Sequence, residues 1–116
     1  MKDYSKLQAR YLRFPVPARL GNLASSLARI ADFSAMMDNS GQVVSVLDES
    51  TYFIEWTAGE TVAETAAQLA DLQCQLARWQ LNWQQIWDDP AQRAQVAQES
   101  RAWSDRVLQM SGLLDR

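Results

Sequence analysis

Residues 42–57 read QVVSVLDESTYFIEWT, and how they fold decides the class of the whole chain. Valine, threonine, tyrosine, phenylalanine and isoleucine favour strands. With Asp48-Glu49-Ser50 as a turn, the stretch could be a β-hairpin. The same residues carry a helical pattern: Val44, Leu47, Thr51 and Ile54 share one face, with Val43, Ser50 and Phe53 beside it. The surroundings favour the helix. No other segment offers a strand to pair with, and an isolated hairpin is marginal in water. We therefore expect a helix that ends at residues 58–61, AGET, with the hairpin left open as the alternative.

The segments on either side are helical by spacing. On residues 61–88, Val62, Thr65, Leu69, Leu72, Leu76, Trp79, Trp83 and Ile86 step 3-4-3-4-3-4-3 without interruption. Ala66, Ala70, Cys74, Ala77 and Leu81 are expected to widen that face towards several neighbours. Thr61 and Glu64 match a capping box. One helix over this range would be roughly 40 Å long. Upstream, residues 17–37 place Leu20, Leu23, Leu27, Ile30, Ser34 and Met37 on one stripe, with Ala24, Ala28 and Ala31 keeping its flank small. Downstream, Asp89 reads as an N-cap and Pro90 as a first helical residue. The seam there is Val96, Ser100, Trp103, Val107, Met110 and Leu114, with Gly112 near the end.

At the N-terminus, Tyr4, Leu7, Tyr11 and Phe14 make an apolar stripe, opposite Lys2, Lys6, Arg10 and Arg13. This short amphipathic segment stops at FPVP, because each proline disfavours helix in the residue before it. Short connections make neighbouring helices antiparallel. The expected fold is therefore all-α: an up-down antiparallel four-helix bundle over residues 17–114, with an additional basic N-terminal helix over 1–14, in one domain spanning 1–116.

Three segments carry a family likeness: RYLRFPVPARLGNLA (10–24), STYFIEWTA (50–58) and WSDRVLQMSGLL (103–114). Together they resemble a family of short, uncharacterised all-α proteins from cyanobacteria. The resemblance implies a helical reading of 42–57 and a cytoplasmic setting. It implies no catalytic residues.

Composition limits the chemistry. The chain of 116 residues has no histidine and one cysteine, Cys74. His-based triads, His acid–base catalysis and the usual zinc sites are thereby removed. Di-metal helical bundles in their usual form also need histidine. Four scattered glycines form no phosphate-cradling loop. The expectation is a protein that is not an enzyme and carries no cofactor or metal. No apolar run is long enough for a membrane span, and residues 1–14 lack the apolar core of a secretory signal, so a cytoplasmic location is expected. Cys74 is read as a small buried thiol.

Charge is uneven. Residues 1–29 hold Lys2, Lys6, Arg10, Arg13, Arg19 and Arg29 against Asp3 alone, while the remainder holds five basic and thirteen acidic side chains. This basic leader either packs on its own acidic body or meets an acidic partner or anionic surface. The acidic body disfavours nucleic acid, and a helix of about three turns is short for membrane-surface binding. The leading expectation is a non-catalytic protein–protein interaction or assembly protein, with self-association expected. Candidate contacts are Trp87, Trp56, Tyr4, Tyr11, Arg10 and Arg13. A second reading is a small-molecule binder with an apolar pocket of Trp79, Trp83, Phe33 and Met37. A third is peripheral membrane association through the basic helix. Within RWQLNWQQIW (78–87), Trp79 and Trp83 lie on the seam and Trp87 at its margin, which makes Trp87 the ring most suited to a partner.

Overall fold

The computed structural model describes residues 3–36 and 40–114, and among these every regular element is helical. In chain order they are α1 (Ser5–Tyr11), α2 (Val16–Ser34), α3 (Ser40–Thr57), α4 (Ala63–Leu81), α5 (Trp83–Asp88) and α6 (Pro90–Ser111), with a short 3-10 turn at Ala58–Glu60 between α3 and α4. The radius of gyration is 13.9 Å, close to the ~13 Å of a compact chain of this length.

The stretch that could have been a hairpin is helical from Ser40 to Thr57. Its buried side is Val43, Val46, Leu47, Ser50, Phe53, Ile54 and Thr57. This is the expected face rotated by about one position: Val44 is 39% exposed, and the flanking residues Val43, Ser50 and Phe53 point inward instead. The β-branched residues are accommodated because the buried ones pack. Thr51, half-buried, returns its hydroxyl to the Leu47 carbonyl at 3.0 Å, a local bond open to threonine in a helix.

α2 runs between α6 and α3 and packs most extensively on them. Ser104 of α6 donates to the Ala24 carbonyl at 2.7 Å, and Arg101 pairs with Asp32. Near the start of α2, a Cβ added to Gly21 would come within 2.9 Å of Leu113. These contacts run in opposite chain order along the two helices. The same opposite order joins α2 to α3 and the turn after it, through Arg29–Glu49 and Arg19–Glu60. It also joins α3 to α4 and α5, through Asp48–Gln80 and Ser40–Trp83.

The seam of residues 61–88 is correct from Leu69 to Ile86, but the helix is not single. It breaks at Asn82, whose side-chain amide and backbone N–H both reach the Arg78 carbonyl, at 2.9 and 3.1 Å. Asparagine competes in this way with the backbone and is a poor helix former. The capping box does not form: α4 begins after Val62, with no side-chain cap, and Thr61 instead donates to the Ala58 carbonyl at 2.7 Å. Val62 is 71% exposed. The expected widening of the apolar face is also corrected. Ala70, Cys74, Ala77 and Leu81 are exposed, so Cys74 is a surface thiol and not a buried one. α4 packs mainly on α3, and its flank of Ala70, Cys74, Ala77 and Leu81 stays exposed.

α6 starts as expected. Asp89 accepts from the Ala91 N–H at 2.9 Å, and Pro90 takes the first helical position. A bond from the Gln92 side-chain amide, and then the one from the Ala91 N–H, hold the Asp89 carboxyl below the usual carboxylate range. Gly112 ends the helix in the left-handed region, at φ 76°, where glycine carries no steric cost. Leu114 of the expected seam is 61% exposed beyond this cap.

Candidate partner surface

Four of the six candidate contacts from the sequence, Tyr4, Arg10, Tyr11 and Trp56, meet where α1 lies on the C-terminal half of α3, and Arg13 follows just after α1. α1 has seven residues, too few to hold a helix by itself. Local help comes from Asp3, which accepts from the Ser5 N–H at 2.9 Å; this bond lowers the Asp3 pKa. Arg10 sits in the last turn, where a cation suits the helix dipole.

The decisive anchor is Tyr11. It is 2% exposed, so the structure places it inside and not on a partner-facing surface, a correction to its candidate role. Its ring stacks on Phe53 at 4.2 Å and 4°. Its hydroxyl donates to the Arg19 carbonyl at 3.0 Å and shares a hydrogen bond with Thr57 Oγ1 at 2.8 Å. Burial pushes the phenol up to about 12, against smaller lowering effects from Thr57 and Arg19. Tyr11 is therefore neutral across the physiological range.

Arg19 completes the clamp, although its only signal in the sequence is a place in the basic leader. It is 8% exposed. Its guanidinium donates to the Phe14 carbonyl at 2.8 Å, to the Leu12 carbonyl at 3.2 Å and to the Glu60 carboxylate. One side chain thus ties the α1–α2 connection to the turn after α3. Such charge-assisted bonds are among the stronger ones a protein makes.

Around this anchor the aromatic rings form a continuous group. Tyr4 lies 4.5 Å from Tyr52, Tyr52 lies 5.6 Å from Trp56, and Trp56 lies 5.8 Å from Tyr11. Tyr4 and Trp56 are half-buried and Tyr52 is 37% exposed. Burial, with Asp48 nearby, raises the Tyr4 pKa. Tyr52 was not singled out from the sequence; its i, i+4 spacing to Trp56 was the available signal. Outside the rings, Lys6, Arg10 and Arg13 are all exposed, and none forms an ion pair among the described residues. Further along the basic leader, Arg19 and Arg29 pair with the acidic body. Leu12 and Phe14 add apolar surface, at 40% and 43% exposed.

The tryptophan ladder lies at the other end of α3. Trp79 and Trp83 are 5% and 7% exposed, and Trp83 donates its indole N–H to Ser40 at 3.2 Å. Both belong to the core, with Phe33 packed against its margin. Met37 lies outside the described residues. Trp87 is half-buried, 5.7 Å from Trp83, with the Arg93 guanidinium 5.2 Å from its ring centre. It is separate from the α1 surface.

Comparison with family models, with curated proteins and with solved structures finds no match to this chain.

The surface itself must therefore carry the reading. Among the described residues, no cluster of three or more Cys, Asp or Glu side chains could hold a metal ion. No described helix is long and apolar enough to cross a membrane. What the α1 face offers is three exposed cations, with no ion pair among the described residues, beside partly exposed aromatic and apolar side chains.

Proposed function

We propose that this protein is a non-catalytic interaction module that meets an acidic protein partner through the face built by α1 and α3. The observation that carries this reading is the state of Lys6, Arg10 and Arg13, which are exposed and form no ion pair among the described residues, although the rest of the chain is rich in acid. Complementary charge steers association and selects partners. Tyrosine, tryptophan and arginine are the residue types that dominate interface energetics. Tyr4, Tyr52 and Trp56 supply the aromatic part, and Arg10 and Arg13 the charged part. Tyr11 serves from inside, by holding α1 in place.

The scaffold for this surface is the up-down four-helix arrangement of α2, α3, α4 with α5, and α6. Its support is the opposite order of the side-chain bonds between consecutive helices, together with Arg106 of α6 bonding Gln68 of α4 at 3.1 Å. A second copy of the chain is one acidic partner of the required kind.

The test is charge reversal. Arg10→Glu with Arg13→Glu should leave the fold intact and abolish capture of an acidic partner by cross-linking, and wild-type capture should weaken with salt. Light scattering at low and high salt reads the self-association case. Capture that survives both the double reversal and high salt sinks the proposal, and so does capture that Trp87→Ala alone removes.

A further inference from the structure

Beside the proposed partner face, α1, α2 and α3 enclose a cleft of about 270 Å³. Its floor is the stacked pair Tyr11 and Phe53, both buried, and its outer wall is Leu7 and the partly exposed Phe14. Its rim is polar: Arg10, Asn22, Ser25 and Arg29, with Glu49. The two guanidiniums are differently placed. Arg10 has no ion pair among the described residues. Arg29 meets both Glu49, at 3.3 Å, and Ser26, at 3.1 Å, through the same nitrogen, Nη2. Its other nitrogens make no bond among the described residues. Two cations against one carboxylate leave the rim with one uncompensated positive charge.

We propose that this cleft binds a small amphiphilic monocarboxylate, an aryl or short alkyl acid. Its apolar body would lie on the Tyr11–Phe53 floor and its carboxylate between Arg10 and Arg29. Three features select this class. Planar guanidinium donors match a carboxylate in paired hydrogen bonds. A net rim charge of one suits a single anionic head. The space corresponds to roughly nine water volumes at ~30 Å³ each, and so to a ligand of about ten non-hydrogen atoms. Asn22 and Ser25 add donors at the rim, and the aromatic floor excludes water from the ligand body. The inference goes beyond the partner reading, because binding needs no second protein.

The experiment titrates the intact protein, alone, with 3-phenylpropionate and with octanoate, following backbone amide shifts by NMR. The uncharged 3-phenylpropanamide is the control for the head group. The expected result is saturable shifts confined to α1, the α1–α2 connection and the facing parts of α2 and α3. The amide should bind about ten-fold more weakly, and Arg10→Gln should weaken the acid by about the same factor. Arg10 is exposed and unpaired, so this variant keeps the fold. Arg78→Gln, on exposed α4 surface, should change nothing. Equal affinity for acid and amide overturns the proposal, as do an Arg10→Gln titration identical to wild type, shifts centred elsewhere, and no saturation by about 10 mM.

Discussion

α2 and α4 are both 19-residue helices with apolar residues spaced three and four apart, yet they are buried to very different extents. α2 lies between α3 and α6, and its buried residues include Leu20, Leu23, Leu27 and Ile30 together with Ala24, Ala31, Ser26 and Ser34. α4 buries Leu69, Leu72, Leu76 and Trp79, and little beside that line. The alanines show the contrast most directly. Ala24 and Ala31 flank the α2 seam and are buried; Ala70 and Ala77 flank the α4 seam and are exposed. A small residue permits close approach, but it takes a second neighbouring helix to use it.

The largest expected effect separates the two helices by truncation. Leu27→Ala removes a side chain that is fully buried between two neighbours and should cost about 3 kcal/mol. Leu81→Ala, at 84% exposed, should stay within about 0.5 kcal/mol. Urea midpoints of both variants, at equal denaturant slope, measure the difference. A comparable loss at Leu81 would mean that α4 has a second covered flank, and the contrast would fail.

The same contrast shows what could be read from residues alone. Spacing located the centre of the α4–α5 seam well: Leu69, Leu72, Leu76, Trp79, Trp83 and Ile86 are all buried. It could not give the width of the buried face, because width depends on how many helices arrive beside it. Cys74 was misplaced for that reason. On α3 the apolar residues are dense enough to define two adjacent stripes, and packing chose the one through Val43 and Ser50. The break at Asn82 had a local signal, asparagine's competing side-chain amide, that was masked by an unbroken seam. At the candidate surface, Tyr4, Trp56, Arg10 and Arg13 were legible from their types and spacing. Arg19 was not, since a buried arginine looks like any other cation until the carbonyls of Leu12 and Phe14 are seen to converge on it.

An arginine pair carries the comparison from apolar to charged side chains. Arg19 of α2 is buried against two carbonyls and Glu60, while Arg78 of α4 is exposed. Arg19→Met keeps the aliphatic bulk and leaves those carbonyls without a donor, so it should cost about 2 kcal/mol. It should also loosen α1, read as faster cleavage between α1 and α2 in limited proteolysis. Arg78→Met should be near neutral in both measurements. Equal cleavage rates for the two variants would show that Arg19 does not hold α1 down.

The smallest effect tests how α1 is anchored on α2 and α3 through the Tyr11 phenol, which has no counterpart on α4. Tyr11→Phe removes the hydroxyl that joins the Arg19 carbonyl to Thr57 and should cost about 1 kcal/mol near neutral pH. The pH dependence follows from the raised pKa. The ordinary value is 10.0 and the folded value is about 12, so the unfolded chain ionises first as the solution becomes alkaline. The stabilisation from keeping this phenol neutral is complete below pH 10 and is lost as pH rises through about 12. Tyrosinate absorbance should show one late-titrating group that Tyr11→Phe abolishes. Stability should fall more steeply above pH 10 in the wild type than in the variant. Parallel curves would mean that solvent reaches the hydroxyl, and that α1 leaves α3 often enough to expose it.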